Sequence, residues 1–217
     1  EKPATNSITE LRRLEIVHQS MKKPSTVLVN FQRRYSESYI NLKEIIDQLL
    51  YGKPLLIEIN YSLGLKVNGS HIIDILTFLF PENKYELLWV QNLKNKLNPD
   101  FILSLDDSLL AHFCGIDNNF HNLDIRITFE KARLSIEHGG SSLRVEEVRE
   151  NELFPGYYVL ADVSSNKLGG AGFNFSFDNA LNDLIDSHEK SLQPRSSLNS
   201  VYLGQSIIEK VFIELSK

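Results

Sequence analysis

In the run Asn68-Gly69-Ser70-His71-Ile72-Ile73-Asp74 an imidazole and a carboxylate stand three residues apart. With a turn over 64–69 and a helix beginning near Ser70, that spacing puts His71 and Asp74 on one helix face. A carboxylate one turn from an imidazole can orient it and hold up its pKa, as a general base near neutral pH requires. His-x-x-Asp is a weak motif, and spacing alone favours a plainer state in which His71 caps or packs and Asp74 is a solvated charge. The second reactive candidate is Lys2. Pro3 pushes Lys2 into extended backbone, and Ser7 with Glu10 forms a capping box that opens a helix directly after it. An ammonium is thereby presented beside a helix start, although Lys2 taken alone reads as a solvated surface residue.

Hydrophobic periodicity supplies the elements that must position these groups. Ile8, Leu11, Leu14, Val17 and Met21 recur at helical spacing, and Lys22-Lys23-Pro24 ends that helix. Residues 26–31 are β-branched and apolar and read as a buried strand. A helix over 36–50 carries Tyr39, Leu42, Ile45, Ile46 and Leu49 on one stripe, and a strand follows over 55–61. Past residue 80 the pattern changes to short strands at 85–90, 101–105, 109–115, 123–129, 133–138 and 142–148. Asp106-Asp107, Asp117-Asn118-Asn119 and Gly139-Gly140 separate several of them, so the strands must be mostly antiparallel. Residues 151–174 read as loop, with Gly169-Gly170-Ala171-Gly172 its most flexible point, and helices over 177–189 and 198–215 close the chain. The expected architecture is α+β: a large, mostly antiparallel sheet with helices on one face, preceded by an α/β unit.

Composition bounds the class. The 217 residues are 42% hydrophobic and 24% charged, an ordinary globular balance. A net charge of −5 without Lys/Arg runs argues against nucleic-acid binding. The single cysteine, Cys114, rules out an internal disulfide and suits a reducing cytoplasm, where it reads as a small buried apolar residue. No apolar run approaches the ~20 residues of a membrane span, and no signal peptide is legible. His112, His121 and His138 lack metal-ligand spacing, so no metal site is expected. Trp89 reads as core or interface, and Phe173-Asn174-Phe175 with the cap Ser176 as structural.

Glu1-Lys2-Pro3, then Val29-Asn30-Phe31-Gln32-Arg33-Arg34-Tyr35, then Gly69-Ser70-His71-Ile72-Ile73-Asp74 resemble, in order and rough spacing, the Gfo/Idh/MocA family of NAD(P)-dependent sugar dehydrogenases. The resemblance runs over essentially the whole chain. Tyr61-Ser62-Leu63-Gly64 with the run that follows looks like members acting on bacterial surface-polysaccharide sugars. The resemblance implies NAD or NADP as cofactor and a hydroxyl of a sugar or nucleotide sugar as the site of oxidation. It places Lys2 and Pro3 at the nicotinamide, Lys2 also at the substrate hydroxyl, and implies a cis Lys2-Pro3 bond. His71 becomes the acid/base with Asp74 its orienting partner, and Arg34, Asn68 and Tyr61 become substrate-binding candidates, although Arg34 suits a surface ion pair equally well.

Two departures matter. Many members carry an Asp four residues before the His, where this chain has Val67. The family's Gly-rich dinucleotide turn lies upstream of Glu-Lys-Pro, and no G-x-G-x-x-G occurs here. Residues 1–34 are then expected to be the tail of a nucleotide-binding domain, on the order of one hundred residues of which are missing. Residues 35–217 form the substrate-binding and oligomerisation domain, assembling as a homo-oligomer through the open sheet face. The chain alone is expected to hold no cofactor and to be inactive. The rival expectation is a non-catalytic module that oligomerises or binds carbohydrate.

Overall fold

A computed structural model of the chain describes residues 1–91, 97–163 and 175–217. Helix α1 (Ile8–Ser20) starts where Ser7 accepts the Glu10 amide, so half of the capping box forms as read. The second half does not close on Ser7, because the Glu10 carboxylate accepts the Asn6 amide instead. A single 3-10 turn, Gln32–Tyr35, leads into α2 (Glu37–Asp47). Then come β1 (Pro54–Tyr61), a wide turn over Leu65–Gly69 and α3 (Ser70–Leu79). The strands β2 (Tyr85–Gln91), β3 (Asp100–Leu105), β4 (Leu109–Gly115), β5 (Leu123–Phe129), β6 (Ala132–Glu137), β7 (Ser142–Glu150) and β8 (Tyr158–Asp162) follow. Helices α4 (Ser176–Lys190) and α5 (Tyr202–Leu215) close the chain.

The eight strands make one sheet in the order β2-β3-β4-β1-β5-β6-β7-β8. Only β1 and β4 run parallel, because α3 and the β2-β3 pair intervene between them; every other neighbouring pair is antiparallel. Alternation sets the two faces. On β5, Leu123, Ile125, Ile127 and Phe129 are buried, while Asp124, Arg126 and Thr128 face the other way. The buried face meets α2, α3 and α5 in one core that includes Tyr39, Leu42, Ile57, Ile59, Ile72, Ile75 and Val211. The opposite face is bare of helices among the described residues. The fold is therefore the expected α+β sheet with helices on one face.

Three local expectations change. Residues 26–31 form no strand, because their one long-range backbone bond is from Val29 N–H to the Ser196 carbonyl and no ladder neighbour is present among the described residues. The stripe of α1 is only partly buried: Leu11 is covered, whereas Leu14, Val17 and Met21 stand exposed. Leu11, Val29 and Phe31 instead build a small second core with Leu198 and Val201. Finally, β8 lies within a stretch read as loop. It is an edge strand with both faces accessible, so Tyr158, Val159 and Leu160 show no alternation by which to recognise it. The Gly169-Gly172 cluster and Phe173-Asn174 lie outside the described residues.

Candidate active site

The site is built around the start of α3. Gly64, at φ 94°, lets its carbonyl accept the amides of Val67, Asn68 and Gly69 at 3.0–3.2 Å and so winds the wide turn. Gly69 lies directly on Tyr61: a Cβ there would sit 3.2 Å from the Tyr61 ring and 2.7 Å from the Leu65 side chain. Tyr61 is wholly buried and its hydroxyl donates to the Pro99 carbonyl, so it supports the turn from beneath. This corrects its assignment as a substrate-binding residue, since the ring reaches no solvent. Asn68 and His71 ride on the turn, and both are at least nine-tenths buried. Asn68 Nδ2 and His71 Nδ1 have no hydrogen-bond partner among the described atoms.

Lys2 reaches the same turn from the opposite end of the sequence. Its Nζ donates to the Val67 carbonyl at 2.8 Å, and the Lys2-Pro3 peptide bond is cis. Val67, which stands where the resemblance expects an acid, thus contributes a backbone oxygen, while its side chain is 56% exposed. Phe31 presents an edge-to-face ring to His71, with centroids 5.7 Å apart. Partial burial lowers the Lys2 ammonium from its ordinary pKa; the Arg33 charge adds to this, and Glu1 opposes it. Burial also drives His71 down to about 2, aided by the nearby positive charges of Arg33, Lys2 and His121. At neutral pH its imidazole is a neutral hydrogen-bonding group.

Asp74 is not the partner of His71. Its carboxylate is clamped by Arg34, Nη2 to Oδ1 at 2.6 Å and Nε to Oδ2 at 2.8 Å, with both residues at most 3% exposed. Arg34 uses its remaining donors on the Arg195 carbonyl and on the Ser200 side chain and carbonyl. Arg34 is therefore a buried strut joining the 3-10 turn, α3 and the segment before α5. Neither a substrate contact nor a surface ion pair describes it. The geometry decides this: two parallel N–H···O bonds hold the carboxylate, and the other Arg34 donors are spent on Arg195 and Ser200.

Two residues that sequence reading passed over take their place. Arg33, 6% exposed, lies near enough to Lys2, His71 and His121 for its charge to act on all three. The sequence signal was a double arginine after an apolar run, and both arginines turn inward. His121, on the loop between β4 and β5, comes from far along the chain and no spacing foretells it. Its ring packs so closely on Gly139 that a Cβ there would lie 2.7 Å from Cε1. Among the described residues, no group of three or more His, Cys, Asp or Glu side chains could hold a metal ion. No helix there is long and apolar enough to cross a membrane.

The chain has the fold of Gfo/Idh/MocA-type oxidoreductase proteins. It superposes on an oxidoreductase domain protein from Kribbella flavida with a TM-score of 0.73 at 13% identity, over 97% of this chain and 70% of that one. It matches an oxidoreductase from Agrobacterium radiobacter, solved with NAD+, L-tartaric acid and magnesium, with a TM-score of 0.71 at 12% identity over 100% and 70% of the two chains. It also matches a super-repressor mutant of Gal80p from Saccharomyces cerevisiae, with a TM-score of 0.68 at 15% identity over 95% and 67%. No family model matches the sequence.

Proposed function

We propose that the chain is the substrate-binding part of an NAD(P)-dependent oxidoreductase that oxidises a hydroxyl on a sugar or nucleotide sugar. The observation that carries this is the hydrogen bond from Lys2 Nζ to the Val67 carbonyl on the turn that leads into the buried His71, whose Nδ1 has no hydrogen-bond partner among the described residues. The fold likeness to an oxidoreductase solved with NAD+ supports it. NAD or NADP, bound by the intact protein, would supply the hydride acceptor. This chain's residues suit only the nicotinamide end, through Lys2 and Pro3. Burial lowers the Lys2 pKa, which makes its amine the better placed group to take the hydroxyl proton. His71, held neutral, orients that hydroxyl by a hydrogen bond and leaves the proton to Lys2. Asn68 Nδ2 offers a further donor beside it.

Oxidation of a panel of polyols, sugars and sugar acids by the complete protein, with NAD and NADP in turn, tests the reading. Turnover on at least one hydroxyl-bearing compound is expected. Its absence throughout, with binding retained, would favour the rival module, which the likeness to a repressor also supports.

The bare sheet face is proposed to pair with a second copy. Leu88, Trp89, Leu110 and Val148 are 37–53% exposed, apolar side chains spread over β2, β4 and β7 that a second copy would cover. Light scattering is expected to give at least a dimer, and Leu110→Glu to shift it toward monomer; a monomeric parent protein contradicts the proposal.

A further inference from the structure

An imidazole that works at a site is ordinarily held in one orientation by a hydrogen bond at its second ring nitrogen. His71 lacks that anchor. Its Nδ1 is buried without a partner among the described atoms, and Asp74, one turn further along α3, is taken by Arg34. With no such bond to fix the ring, packing must do so. The aromatic ring that meets it is Phe31, with centroids 5.7 Å apart and planes at 87°. In this arrangement the positive edge of one ring meets the negative face of the other, which favours one relative orientation.

Phe31 is itself fixed. It is buried and packs with Leu11, Val29, Leu198 and Val201 in the small second core. Its amide donates to the Val29 carbonyl at 2.6 Å, and its carbonyl accepts the Arg34 amide at 3.2 Å. Arg34 stands three residues after Phe31, and Asp74 three residues after His71. The clamp between them, at 2.6 and 2.8 Å, therefore ties the segment carrying one ring to the helix carrying the other. Phe31 also lines a small cavity with Pro3, Ala4 and Ser70, so it faces both the Lys2-Pro3 segment and the start of α3.

We propose that Phe31 is a positioning residue of this site, whose ring holds the His71 imidazole in the plane from which it meets the substrate hydroxyl. The proposal rests on the hydride-transfer reading and adds a residue that acts only through His71. A hydrogen bond weakens steeply as its angle bends, so an imidazole free to turn would be aligned with the hydroxyl for only part of the time.

The experiment compares the complete wild-type protein with Phe31→Met and Leu198→Ala. Methionine keeps apolar bulk but supplies no ring plane. Leu198→Ala weakens the same small core at a residue outside the ring pair. Two quantities are read: NAD(P)-linked oxidation, and the ring resonances of labelled histidine, assigned to His71 by their loss in His71→Asn. Phe31→Met is expected to lower kcat about tenfold or more while KM stays within about twofold. Its His71 resonances should broaden or double where the wild type shows one sharp set. Leu198→Ala should keep the wild-type kcat and the single set. One sharp His71 set in Phe31→Met overturns the proposal, as does a kcat within about twofold of wild type. An equal loss in Leu198→Ala also overturns it, since the effect would then belong to the stability of the core. The two readings fail separately. If the wild type oxidises no compound, the hydride reading falls, and the resonances alone decide whether Phe31 fixes the ring. Turnover by the wild type with an unaltered Phe31→Met removes the positioning role and leaves hydride transfer standing.

Discussion

Replacing Asp74 by alanine is expected to cost the fold about 3–5 kcal/mol, the usual penalty for stranding one member of a buried ion pair. The bidentate Arg34 clamp lies at most 3% exposed, so removing the carboxylate leaves a guanidinium with neither water nor counter-ion. The loss spreads, because Arg34 also ties the Arg195 carbonyl and Ser200 to the same point. Burial pushes the Asp74 carboxyl up from its ordinary pKa and Arg34 opposes this, so the carboxylate depends on its partner. A double replacement, Arg34→Met with Asp74→Leu, should recover much of the loss, since no uncompensated charge remains. Urea unfolding near neutral pH measures both. A single-variant loss below about 1 kcal/mol would place the pair among surface ion pairs, which are worth no more than that.

The second large effect is a pH dependence. The unfolded His71 ring titrates near 6.5, whereas burial keeps the folded ring neutral down to about 2. Between those values the unfolded chain binds a proton that the folded chain refuses. Stability is therefore whole above pH 6.5 and falls as pH drops below it, by about 1.4 kcal/mol per pH unit. Over about one and a half units this amounts to about 2 kcal/mol, a sizeable share of a domain's stability. His121 shifts in the same direction, so the decisive quantity is the difference between wild type and His71→Asn. The variant should lose less stability on acidification. Parallel pH profiles for the two proteins, or a His71 ring resonance that titrates near 6.5, would contradict the account.

Much of the architecture was legible because strands with one wet face announce themselves. The alternation of Leu123 to Phe129 gave β5 its residue bounds and its faces. Segments whose partners come from elsewhere were harder. Thr26 to Phe31 has the composition of a strand, yet its packing partners are Leu198 and Val201, and strand composition does not create a ladder neighbour. The site divides along the same line. Lys2 reaches the turn that leads through Asn68 to His71, through the Val67 carbonyl, and that turn is local in sequence. Asp74 misled because residues three apart share a helix face without being bound to meet each other, and a fixed arginine outbids a neutral imidazole for a carboxylate. Arg33 and His121 went unread because their meeting is a property of the tertiary fold.

The most direct measurement compares NAD(P)-linked oxidation by the complete wild-type protein with that of Lys2→Arg and Lys2→Met. Arginine keeps the positive charge but cannot release a proton near neutral pH, so it separates charge from proton transfer. If Lys2 removes the hydroxyl proton, both variants lose about 10²-fold or more in kcat while Lys2→Arg still binds substrate. Full turnover in Lys2→Arg would show that charge alone is needed, and the lysine would no longer stand as the base of this site.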